Sequence, residues 1–482
     1  MTMTVTLNNR QDFTLENLKR VAIDGESVNI SQSAKKSINQ ARKSFMAYLN
    51  SDRSRFIYGT TSGAGQHASK RLTPKQQKEM AQRRNLVPPG GGFGPDNLPE
   101  RVVRMIIFAR LTNYIEGNAK TRSIEAERIA QMLDNPAPTV PLSGQVGAGE
   151  ILPLAHVMSH MPRGDTEEAE PMARINGSPV STAVLCDVAL ATKNRLALAY
   201  QIFALSIEAY QAQLAPYSAS LLRYSQSRHE KQAIRSLRYW LNKASNTGRL
   251  PYQAPVSWRI LPPVLAAAEE AFSTVRESAE ISLQAVTDNP VYILPKGSDR
   301  LGRVISTGGY HNAQAAPAID DINARYADLC TLADRHTMKL HSADHLPPNL
   351  AAPGGESYGT AMFSFLQIGY GEEARLAARR SFLPSSEGGG IAGQNDVASV
   401  SVFAYQKHLR SAFCLEASLT LLAASASQAL WLTNRKPAHR LTPLLEQIRN
   451  LVPPVTKRTG RNLGNELESL QQHFEKNIVF NR

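Results

Sequence analysis

Beyond about residue 180 the apolar positions fall into a helical rhythm. Ile319, Ile322, Tyr326, Leu329 and Leu332 recur at spacings of three and four, which places them on one helical face. The stretches 195–215, 264–285 and 400–432 are long, rich in Ala and Leu and poor in Gly. Alternating, strand-like patterns are few, so the pattern predicts long helices packed as a bundle. The first half reads differently. Gly and Pro cluster at 58–65 (YGTTSGAG), 88–95 (PPGGGFGP) and 136–153. Gly supplies backbone angles closed to other residues and Pro ends helices, so these stretches predict loops. Loops on a rigid scaffold commonly carry chemistry. The expectation is a mainly α fold, with a loop-rich N-terminal domain over residues 1–215 and a central and C-terminal helical bundle over 216–482. The boundary rests on the Pro/Gln/Ser-containing segment 211–218.

Composition narrows the class. Of 482 residues, 42% are hydrophobic and 20% charged, which suits a globular protein with a substantial core. The apolar run 413–432 approaches the length of a membrane span, but Glu416, Gln428 and several hydroxyl residues interrupt it. It predicts a buried bundle helix, and no membrane association is expected. The N-terminus lacks a basic-then-apolar signal pattern. Cys186, Cys330 and Cys414 are too far apart for a disulfide framework or a zinc motif, which points to a reducing, cytoplasmic setting. The net charge of +13 raises the question of nucleic acid. The cations look dispersed along the chain and no aromatic–basic recognition motif accompanies them. The expectation is therefore no nucleic-acid partner, with a solvated basic surface or attraction of an anionic substrate instead. The eleven histidines show no metal-binding spacing, and GGGFG near residue 90 lacks the context of a phosphate-cradling loop. No metal is expected.

Seven separated segments carry a resemblance. In chain order they are YGTTSGAG at Tyr58, GQVGAGEILPLAH from Gly144 to His156, INGSPVSTA at Ile175, QAPVSWRILP, TDNPV, GGYHNAQ and AGQNDVASVS. Together they resemble the histidine/phenylalanine (aromatic amino acid) ammonia-lyase family across most of the chain. The resemblance implies that family's fold, a small amino-acid-like substrate with a carboxylate, and a homotetramer whose active sites combine several chains.

The cofactor loop departs from the family. There the pattern Gly-Ser-Val-Gly-Ala-Ser-Gly-Asp-Leu-Ala-Pro-Leu-Ala-His contains an Ala-Ser-Gly triad that cyclises and dehydrates to the electrophile methylidene-imidazolone. Here Gly144, Val146, Gly147 and Ala148 match on the left and Pro153, Leu154, Ala155 and His156 on the right, with one residue fewer between them. The missing residue is the serine. Anchored from the right, Ala148 falls in its place and has no hydroxyl to eliminate. Gly147, Ala148 and Gly149 therefore read as a degenerate cofactor loop, and no cofactor is expected. Ser143 also precedes a glycine but lies at the wrong place in the loop and reads as a turn residue.

The resemblance assigns the remaining roles. Tyr58 matches the catalytic tyrosine that removes a β-proton; a phenol ionises near pH 10, so such a base needs a hydrogen-bonding or cationic setting. A packing role at the loop base is the plainer alternative. Arg259 matches the carboxylate-binding arginine, whose planar fork suits a bidentate clamp. Asn176 matches an asparagine that hydrogen-bonds substrate or cofactor, with a turn-forming Asn-Gly as its alternative. Tyr310 either lines the pocket or fills core, and Asn289 in TDNPV reads at least as readily as a structural turn.

Two departures bear on the substrate. Pro88, Pro89 and Gly90 stand where the family carries its side-chain selectors, so Gly90 would meet the substrate without inheriting a known selectivity. Gln394-Asn395-Asp396 replaces Gln-Glu-Asp of the histidine enzyme, so Asn395 offers a neutral amide. Arg174 is an extra cation beside Asn176, either solvent-facing or drawing an anionic substrate.

Three functional readings follow. In one, an electrophile-independent lyase eliminates an amine that is already a good leaving group, such as a quaternary ammonium, to give an α,β-unsaturated acid. Its nearest analogy is ergothionase, a trimethylamine-releasing member of the superfamily. The second is another elimination, a conjugate addition or a cyclisation in specialised metabolism. The third is a catalytically silent binding protein on the lyase scaffold.

Overall fold

A computed structural model describes residues 3–83, 92–353, 358–385, 394–456 and 461–479. The fold is predominantly helical with two small strand pairs. Strand β1 (Thr4–Leu7) runs parallel to β2 (Ser27–Ile30), and β3 (Val291–Ile293) pairs antiparallel with β4 (Arg303–Ile305). The helices that concern the site begin with α1 (Glu100–Leu111), α2 (Ile151–Met158), α3 (Glu170–Ile175) and α4 (Pro179–Ala209). They continue with α5 (Arg228–Trp240), α6 (Val256–Arg259) and α7 (Leu261–Leu283). The last are α8 (Ala315–Ser342), α9 (Phe363–Ala377) and α10 (Ser401–Leu432).

The chain divides into two units. The first comprises Met1–Val188, Val275–Pro317 and Ser381–Gln406, the second Ala189–Thr274, Ala318–Arg380 and Lys407–Arg482. The boundary expected near residue 215 falls inside the second unit. Sequence-remote segments join the N-terminal residues by specific polar contacts: Asp288 pairs with Arg110, and Ser401 bonds Ser181. A change of composition along the chain carries no trace of such pairing.

In the first unit, α1 is buried on most of its surface, from Val102 and Val103 through Met105–Leu111. A smaller cluster of Phe45, Leu49, Ile57, Ala169 and Tyr292 packs beneath the hairpin β3–β4. In the second unit the predicted α8 face is found inside: Ile319, Ile322, Tyr326 and Leu329 are fully buried. Helix α10 is long and apolar enough to cross a membrane, yet 94% of its apolar window is buried within the protein, as in a core helix. The polar residues that interrupt that run are bonded. Glu416 pairs with Arg195 at 2.7 Å, and Gln428 Nε2 donates to the carbonyls of Leu350 and Val455 at 3.1 and 3.0 Å. Most buried polar groups have such partners.

The cations are less evenly spread than the linear sequence suggests. Arg228, Lys231, Arg235 and Arg238 recur at spacings of three and four along α5, with Glu230 its single acid, while Ala233, Ile234 and Leu237 form the buried face. A one-dimensional scan averages this helical stripe away. The three cysteines are free and buried. Among the described residues no group of three His, Cys, Asp or Glu side chains is placed to hold a metal ion.

Candidate active site

The Tyr58 loop folds around one carbonyl. Ile57 O accepts the N–H groups of Thr60, Thr61 and Ser62 at 3.0, 3.0 and 3.1 Å, and Thr61 Oγ1 accepts the Ile57 N–H at 2.8 Å. Gly59 follows with φ +65°, and a Cβ there would lie 2.5 Å from Met172 Cε. Glycine takes that left-handed angle without strain and leaves room for the Met172 side chain of α3. The loop therefore seats Tyr58 beside α3. The Gly65 N–H donates to Tyr58 Oη at 2.8 Å.

Asn176 caps the end of α3, and a buried arginine fixes it. Arg110, with no exposed surface, donates to the carbonyls of Asn176 (2.8 Å) and Ala173 and to the Asp288 carboxylate. Tyr114 Oη donates to the same Ala173 carbonyl at 2.9 Å. A cation on the last carbonyls of a helix complements its dipole. The Arg110–Asp288 pair thus ties two pocket segments to α1, since Asn289 follows Asp288. Asn289 Oδ1 accepts Ser306 Oγ at 3.0 Å and the Thr307 N–H at 2.9 Å, which sets the approach to Tyr310.

The third wall is the turn 147–150. Gly149 has φ +64°, and a Cβ built there would stand 3.5 Å from Asn176 Oδ1. That oxygen is buried and has no hydrogen-bond partner in the protein. Glu150 also takes a left-handed conformation (φ 54°) and is almost fully buried. Burial pushes its carboxyl up to about 7, although Ser181 and Val180 donate to it.

These walls enclose a cavity of about 280 Å³. Tyr58, Asn176, Tyr310 and Asn395 line it together with Ala148 and Gly149, and all belong to the first unit. Asn289 lines it too, so the residue read as a turn-former has a face on the cavity. Ile151, Ser306, Thr307 and Gln394 are further lining residues that the motifs did not single out as contacts. No charged side chain is among the described lining residues. Gly147 stands just behind, its carbonyl accepting the Ser399 N–H at 3.0 Å.

Other expected residues lie elsewhere. Arg259 is in the second unit, on the single turn α6; its Nε donates to Ala254 O at 2.9 Å. Its neighbour Trp258 stacks on His336 at 3.9 Å and on Tyr210 at 4.1 Å, which anchors that turn. Ser143 is a turn residue outside the cavity lining. Gly90, with Pro88 and Pro89, lies outside the described residues. Arg174 corrects its expectation: it neither faces solvent nor enters the cavity, but is buried against Glu125 at 2.6 Å. Glu125 also holds Arg128 at 2.7 Å, so Arg174 belongs to an internal charge network.

The sequence profile described as aromatic amino acid lyase matches residues 13–167 and 162–450. The chain belongs to this family. Among curated members, the histidine ammonia-lyase of Caldanaerobacter subterraneus subsp. tengcongensis is 25% identical over 453 residues, covering 87% of this chain and 86% of its own. That of Streptococcus gordonii is 26% identical over 475 residues, covering 91% and 88%. Among solved structures, ergothionase from Treponema denticola, described as an ergothioneine-degrading enzyme, superposes with TM-score 0.87 over 100% of both chains at 17% identity. Histidine ammonia-lyase from Trypanosoma cruzi gives 0.83 at 19% identity, over 99% and 94%. These two establish the helical fold of the family.

Proposed function

We propose that this family member is a carbon–nitrogen lyase that eliminates an amine from an amino-acid-like carboxylate without a methylidene-imidazolone. The observation that supports this is the cavity: Tyr58, Asn176, Tyr310 and Asn395 meet at a wall whose tip is Ala148-Gly149. A methyl group and a hydrogen stand where the family's electrophile would arise, and neither carries a hydroxyl to eliminate. The residues present do not fit that group, so no step runs through it.

Without an electrophile to activate the nitrogen, the substrate must bring its own leaving group. A quaternary ammonium meets that need, because it departs as a neutral amine. Tyr58 removes the β-proton, the C–H electron pair becomes the new C=C bond, and the C–N pair leaves with the amine. The product is an α,β-unsaturated acid. Arg259 holds the carboxylate through its planar fork. The likeness to an ergothioneine-degrading enzyme agrees with this chemistry at the level of fold.

Arg259 is supplied by a second copy in a homotetramer with shared sites. In support, α9 and the residue before it present Met362, Phe365, Leu366, Ile368 and Leu376 to solvent in the single chain. An exposed apolar surface of this kind marks an association site. The direct test is a panel of α-amino acids paired with their trimethylammonium counterparts, read by amine release and by ultraviolet absorption of the unsaturated acid. The expected result is turnover of a trimethylammonium member with none of its primary-amine twin. Preference for the primary amine would overturn the proposal.

A further inference from the structure

The buried carboxylate beside the cavity has no part in the proposed elimination, yet it accepts three hydrogen bonds. Glu150 Oε2 accepts the Val180 N–H at 2.7 Å, and Oε1 accepts the Ser181 N–H at 2.9 Å. These are first-turn amides of α4, which otherwise have no acceptor within the helix. The Ser181 hydroxyl donates to Oε1 as well. Ser181 Oγ lies 2.6 Å from Ser401 Oγ, and Ser401 Oγ 3.1 Å from Ser399 Oγ. All three hydroxyls can donate in one direction, toward the carboxylate. The Ser399 N–H then closes the circuit on Gly147 O at 3.0 Å.

The circuit grips the turn at both ends, at Gly147 through Ser399 and at Glu150 through α4, with the first residue of α10 joining them. Between the grips lie only Ala148 and Gly149, the two residues of this turn that line the cavity. Small residues at extended and left-handed angles do not hold such a shape by themselves. In the family the same stretch closes covalently into a ring.

We propose that Glu150 is a positioning residue, and that the clasp it forms with Ser181, Ser401 and Ser399 fixes the Ala148-Gly149 wall of the cavity in place of a covalent ring. The comparison with a ring rests on the proposed chemistry; the clasp itself does not. The charged group facing Glu150 is Arg110 on α1; the groups packed on it from α4 and α10 are neutral hydroxyls and amides.

Hydrogen exchange of the full-length protein tests this. Glu150→Gln turns one acceptor oxygen into a donor, so one α4 amide loses its partner. Exchange of peptides covering 144–158 is expected to quicken about 3- to 30-fold, the scale of losing a helix cap, while distant peptides stay unchanged. If Glu150→Gln does not fold, Ser401→Ala breaks the middle link while sparing the carboxylate, with a smaller quickening expected. On any substrate the panel yields, Glu150→Gln should lower kcat more than it raises KM. Unchanged exchange at 144–158 in both variants would overturn the clasp and leave the proposed chemistry standing. A panel without turnover would count against the chemistry alone.

Discussion

Replacing Tyr58 with phenylalanine is expected to lower turnover by about 10²–10⁴-fold while changing binding little, because it removes the proposed general base and keeps the ring. The phenol oxygen receives the Gly65 N–H, and Gly59 packed on Met172 fixes the loop, so the ring keeps its seat without the hydroxyl. Arg259→Lys is the companion variant. It keeps a positive charge but loses the fork, so binding of the carboxylate should weaken more than kcat falls. Co-expression separates the two contributions. If Arg259 serves the cavity of another copy, mixed oligomers of Tyr58→Phe and Arg259→Ala chains recover activity that neither shows alone. Near-native turnover by Tyr58→Phe would remove the tyrosine from the mechanism. Binding without any turnover across the panel would favour a silent scaffold.

The second large effect is on stability. Arg110→Met leaves Asp288 as a buried carboxylate without its cation, and breaking one side of such a pair costs about 3–5 kcal/mol. Arg110 also holds the carbonyls of Ala173 and Asn176, so the loss spreads to the segment that carries the cavity asparagine. The double variant Arg110→Met/Asp288→Asn should recover part of the loss, since no charge is then stranded. Thermal unfolding followed by circular dichroism reads both. An Arg110→Met protein that melts with the native one would contradict the role given to this pair.

The α8 periodicity and the Ala/Leu-rich stretches were legible because a helix writes its burial into spacings of three and four. The motif residues Tyr58, Asn176, Tyr310 and Asn395 could be named, but their meeting in one cavity needed the long-range ties of Arg110, Asp288 and Asn289. The burial of Arg174 is illegible for the same reason: nothing near it in sequence announces Glu125, 49 residues away. The clasp is not legible in the sequence. Ser181, Ser399 and Ser401 are ordinary hydroxyl residues until the fold sets them in a line ending at Glu150. The unit boundary escaped because 275–317 and 381–406 return to the N-terminal unit, which no local change of composition reports.

The central claim is that the turn at Ala148-Gly149 carries no electrophile, and intact-mass measurement of the purified full-length protein tests it most directly. The account predicts a mass equal to that of the unmodified chain, allowing for removal of the N-terminal methionine. A deficit equal to the two waters lost in forming a methylidene-imidazolone would contradict it.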